Sequence, residues 1–158
     1  MDPKALVVQL NSAKEYFDRS TRCLVEEDSA YAPADGMMTA AQQVAHVAQT
    51  VDWFIEGAFR PEGFDMNFDR LMDELNAVTS LAKARAWLDR SFAAAEEAIA
   101  SRSPEELSQR LPEGPVMGGA PRFAIVSALA DHTAHHRGVL TVYSRLRGHV
   151  PAMPYMEA

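Results

Sequence analysis

Three of the chain's five histidines fall within one short run, Asp131-His132-Thr133-Ala134-His135-His136-Arg137-Gly138. His132 and His136 are four residues apart. Four residues advance a helix by about 400°, so both imidazoles leave the same face one turn apart. Two nitrogens so placed can hold one metal ion, and imidazole suits zinc, copper, iron and nickel. Ile125, Leu129, His132, His136, Leu140 and Tyr143 share a sector within about 60° of Ile125, so the two histidines point where core residues point. Imidazoles buried without partners lose water at a cost, and a shared cation removes it. His135 lies about 80° to one side and suits the same ion less well. Paired histidines also occur on surfaces and in hydrogen-bonded cores, and the spacing alone leaves those readings open.

A catalytic metal commonly takes three protein ligands and keeps an open position. The donor from another helix is His46, if the side of its helix that carries Gln42, His46 and Trp53 lines the interior. A lone mid-helix histidine can equally be structural. Gln42 and Gln49 stand four before and three after His46, so they are candidates for pocket lining, with a solvated face as the alternative. Trp53 and Tyr143 are further candidates for the pocket wall, or packed core side chains. Asp131 and Asp52 lie off the histidine faces, Glu56 is a distant alternative, and no general base is assigned. The loop Pro115-Val116-Met117-Gly118-Gly119 is a surface connector or a lid. Arg137 is expected to pair with a carboxylate on a neighbouring helix, with an anionic substrate as the alternative, and His149 to sit on the surface. Cys23, on the first helix, has no mark of activation.

These residues require helices to position them. The first is expected from about Pro3 to Glu27, with Asp2 as N-cap. The second starts at Thr39, where Gln42 completes a capping box, and stops near Phe59, before Pro61 and Gly63. It is apolar on more than one side, which hints at a dimer contact. Phe68, Leu71, Met72 and Leu75 indicate a short amphipathic helix. A third long helix spans about Ser80 to Ser101, and Ser103-Pro104-Glu105-Glu106 opens another short one. The last long helix is expected from about Pro121 to Arg147, with Gly148 as its C′ residue and an irregular tail at 149–158. The expected fold is all-α: a four-helix bundle in one domain, 1–158, with short accessory helices in the connections. The connections are long enough that the up-down order is open.

The 158 residues suit one domain, with 47% hydrophobic and 23% charged residues, which excludes disorder and a disulfide scaffold. The formal charge of −7 argues against gripping nucleic acid or anionic membrane. A single cysteine and an N-terminus without signal-peptide character lead to the expectation of a cytoplasmic chain.

The chain resembles the DinB / YfiT-like superfamily of four-helix-bundle metal proteins. The resemblance is carried by Val44-Ala45-His46-Val47-Ala48 with Trp53-Phe54, and by His132-x-x-x-His136-Arg137-Gly138 with Tyr143 and Leu146-Arg147-Gly148. It departs at Val139, where the family often has glutamine. The resemblance implies a divalent metal, commonly nickel or zinc, on His46, His132 and His136, and a homodimer in many members. Three neutral histidines leave the ion its full charge, which acidifies a bound water or thiol. The expected activity is transfer of a small thiol to an electrophile, since some relatives use low-molecular-weight thiols. The alternatives are metal-dependent hydrolysis and a non-catalytic bundle that holds a metal or small ligand.

Overall fold

The structure is a computed structural model and describes residues 1–156; the last two residues of the expected tail lie outside it. Helix α1 (Pro3–Thr21) begins where Asp2 Oδ1 accepts the Lys4 backbone N–H at 3.0 Å and Pro3 pre-sets φ. It ends six residues before the expected Glu27. The cause is Asp28, whose carboxylate accepts the Val25 N–H at 3.0 Å and closes a 3₁₀ turn over Glu26–Asp28. A side chain that bonds its local backbone competes with helix continuation. Cys23 therefore lies beyond α1 rather than on it.

Helix α2 (Ala40–Phe59) starts with the expected capping box. Thr39 Oγ1 accepts from Gln42 N at 3.2 Å, and Gln42 Oε1 accepts from Thr39 N at 2.9 Å. Helix α3 (Phe68–Asn76) is capped by Asn67 and α4 (Leu81–Ala100) by Ser80. Helix α5 (Pro104–Ser108) is capped by Ser103, with Glu106 completing a second capping box. Helix α6 (Ala124–Leu146) starts three residues later than expected. The reason is that Arg122 N and Phe123 N donate to Gln109 and Leu107 carbonyls, so this segment is tied to the chain after α5. Gly148 takes φ +82°, the left-handed conformation expected of a C′ residue. Among the described residues the only strand-like feature is an isolated bridge between Arg110 and Pro121.

The long helices α1, α2, α4 and α6 form a bundle in which α1 and α2 each pack against both α4 and α6. Consecutive α1 and α2 are therefore diagonal. Directions follow from paired contacts. Gln43 meets His136 while His46 meets His132, so α2 and α6 are antiparallel. Gln9 meets Ser127 while Tyr16 meets Arg137, so α1 and α6 are parallel. Lys14 meets Asp89 while Thr21 meets Arg85, so α1 and α4 are antiparallel. The order along the chain is up, down, down, up.

The core is one cluster that includes Leu10 and Phe17 (α1), Val44 and Val51 (α2), Leu88 and Phe92 (α4), and Ile125, Leu129 and Leu140 (α6). Each such side chain contributes roughly 1.5–3 kcal/mol by leaving water. The second apolar side of α2 does not need a dimer to cover it, because α3, α4 and α6 of the same chain do so.

Candidate metal centre

His46 projects from the middle of α2, and His132 and His136 from successive turns of the antiparallel α6. The three rings meet inside the bundle, with centroids 5.0, 4.9 and 4.4 Å apart. One nitrogen from each lies within 4.8 Å of the others. His46 Nε2 and His132 Nε2 are 3.3 Å apart. Tetrahedral zinc with bonds of about 2.0–2.1 Å requires ligand nitrogens about 3.3 Å apart, so this pair already has the right separation.

The protein fixes the three rings differently. His136 Nδ1 is 2.6 Å from Gln43 Oε1. A carboxamide oxygen only accepts, so Nδ1 carries the proton and Nε2 keeps its lone pair for the centre. His46 Nδ1 and His132 Nδ1 are buried without hydrogen-bond partners, so no bond at Nδ1 orients those rings. Thr50 Oγ1 stands 3.5 Å from His132 Nε2.

Burial keeps all three imidazoles neutral. Desolvation, then the neighbouring histidines, push His132 down to about 4 and His136 to about 3. Desolvation and His135 lower His46. Neutral imidazoles are the ligating form, so the donor set suits a divalent cation at neutral pH. Among the described residues, no carboxylate or cysteine joins the group.

A cavity of about 270 Å³ opens beside His46 and His132. Gln49 and Trp53 line it, together with Thr50, Phe54 and residues of α3. Gln49 Nε2 donates to Leu71 O and Glu74 Oε2, both at 2.9 Å, and Trp53 Nε1 donates to Asp65 O at 2.7 Å. These bonds hold the α3 segment over α2 and create the cavity's outer wall.

Other residues stand elsewhere. Gln42 is committed to the Thr39 cap and does not line the cavity. Tyr143 is core: its hydroxyl donates to Met38 O at 2.9 Å, its ring meets Tyr31 edge-on, and burial raises its pKa. Pro115 and Val116 of the loop at 115–119 pack beside Glu62, Gly63 and Phe64, and none of its residues lines the cavity beside the histidines. Arg137 lies over the rings of Tyr16 and Tyr155, and among the described residues it pairs with no carboxylate. His149 is not a free surface residue, since its Nε2 meets Asp28 Oδ2 at 2.7 Å. Val139 packs against the core, and Asp52 is engaged by Trp87 Nε1 at 2.6 Å. Gln43, the partner of His136, was not singled out in the sequence. Its signal was its place one turn before His46.

Fold and site together define an all-α bundle whose three converging histidines could hold a metal ion. The sequence model of the DinB superfamily matches residues 9–140, a span that includes all three histidines, and the chain belongs to that superfamily. A comparison with curated proteins gives no match. Among the described residues, no helix is long and apolar enough to cross a membrane.

Proposed function

We propose that the protein is a metal-dependent enzyme that joins a small thiol to an electrophile, with His46, His132 and His136 holding a zinc or nickel ion. The observation that carries this reading is the cavity beside His46 and His132. A purely structural centre is typically closed by protein ligands, whereas a catalytic one leaves room for a reactant. When bound, the divalent ion supplies Lewis acidity and favours the deprotonated form of a thiol.

The protein's own contribution is to keep three imidazoles neutral, fix His136 through Gln43, and shield the reactants from water with α3. In the reaction a C–S bond forms, the thiol proton passes to solvent, and any leaving group departs with its bonding pair. Among the described residues no carboxylate joins the three histidines to serve as a base, which favours transfer over hydrolysis. Asp52 is bonded to Trp87, and Asp131 and Glu56 are exposed. Water as nucleophile requires such help more than a thiol does. The proposal includes a cytoplasmic location and a homodimer; sedimentation velocity would test the latter.

The test is incubation of metal-loaded protein with a panel of thiols and electrophiles, followed by mass spectrometry. An adduct that forms faster than with free metal, and that is lost in His132→Ala, is expected. No adduct above the metal-only background for any thiol would overturn the transferase reading.

A further inference from the structure

The cavity's lining has a chemical character that narrows what it admits. Trp53, Phe54, Phe68, Leu71, Met72 and Leu75 make its apolar walls. The Trp53 ring packs at 5.3 Å from Phe54 and 6.2 Å from Phe68, so aromatic surfaces meet around the space. Among the described residues, no lysine, arginine, aspartate or glutamate lines it. With the centre empty, a charged group placed there would lose water without gaining a side-chain counter-ion. An apolar cavity of roughly 150 Å³ admits a benzene ring. About 270 Å³ therefore has room for a ring with a short substituent.

The polar groups present are also specific. Gln49 is buried, and its amide nitrogen already donates to two acceptors, Leu71 O and Glu74 Oε2. Both groups can only accept, so the amide nitrogen is the end that faces them and the carbonyl oxygen is the group left for a ligand. Thr50 adds a hydroxyl next to His132. An acceptor and a hydroxyl suit a neutral ligand with one polar donor.

We propose that the cavity formed by α2 and α3 beside the histidines binds an uncharged aromatic group of the substrate, with Gln49 Oε1 as its fixed acceptor. The inference rests on the enzyme reading for its role, but binding itself needs only the cavity. In the metal-free protein the lining offers no side-chain counter-ion to an anionic or cationic ring. The centre and the aromatic subsite thus divide the substrate into a metal-facing reactive end and a neutral apolar end.

Metal-free protein separates this subsite from the centre. Benzyl alcohol, benzoate and benzylammonium, matched in ring and size, are titrated while the Trp53 indole N–H resonance is followed by NMR. Benzyl alcohol is expected to shift that resonance saturably, with both charged probes at least about tenfold weaker. Met72→Trp, at a position 48% exposed on the cavity rim, is expected to fill the space and abolish the shift while the far-UV spectrum is retained. Phe68→Ala, at the 55% exposed rim, should weaken binding without filling the cavity. Equal binding of benzoate, or an undiminished benzyl alcohol response in both variants, would overturn the subsite. Failure of the protein to take up zinc while benzyl alcohol still binds would overturn the centre and leave the subsite standing.

Discussion

Gln43 Oε1 accepts from His136 Nδ1 at 2.6 Å, which aims the opposite nitrogen of that ring at His46 and His132. A partner of this kind sets the tautomer and orientation of a ligand without touching the ion.

Gln43→Ala should therefore weaken metal binding by about 10–100-fold, the usual cost of losing such a partner. Competition against a chelator of known affinity measures it. An unchanged affinity would show that packing alone orients His136.

The neutral histidines imply a defined pH response. His132 and His136 titrate near 4 and 3 when folded, against about 6.5 when the chain is unfolded. The unfolded state then binds more protons between these values, so stability of the metal-free protein falls as pH drops from about 6.5 towards 3. It is fully present above about 6.5. Urea unfolding across this range should show the midpoint falling with acidification, and the slope should lessen in a His132→Ala His136→Ala double variant. A midpoint independent of pH would contradict the burial argument.

Much of this frame was legible in the sequence. Thr39 with Gln42, Asp2 with Pro3, and Ser103 with Pro104 announce helix starts because capping is local chemistry. The i, i+4 histidines were legible for the same reason. The roles of Gln42 and Gln43 were not. Both flank the His46 face, and only the position of α6 decides which one reaches an imidazole. The cavity was hidden because α3 is placed by long-range bonds from Gln49 and Trp53 that leave no periodic trace. The Asp28 turn was hidden too, since its partners Arg147 and His149 lie at the far end of the chain.

Gly57 is a residue whose role emerges only from packing. A Cβ there would collide with the Phe64 ring, which itself packs 4.8 Å from Trp53 at the cavity wall. Alanine normally gains up to about 1 kcal/mol over glycine inside a helix. Here Gly57→Ala should instead destabilise by about 1–3 kcal/mol, as overpacking does. Chemical denaturation reads the sign, and a stabilised variant would contradict the packing.

Asp28 joins the turn after α1 to the end of α6. Its buried carboxylate accepts from Arg147 Nε at 2.7 Å and from His149 Nε2 at 2.7 Å. Burial alone would raise its pKa, but these partners and the Val25 N–H hold it below the usual carboxylate range. Asp28→Ala should cost about 1.5–3 kcal/mol, the range for hydrogen bonds to a charged group. Thermal unfolding at neutral pH measures it, and an unchanged midpoint would show the pairing to be incidental.

The central claim is that His46, His132 and His136 hold one divalent ion. It is tested most directly by elemental analysis of protein purified without a metal-affinity column. The account predicts close to one zinc or nickel per chain, lost in His132→Ala together with a fall in thermal stability. Absence of stoichiometric metal, with His132→Ala as stable as the parent, would contradict it.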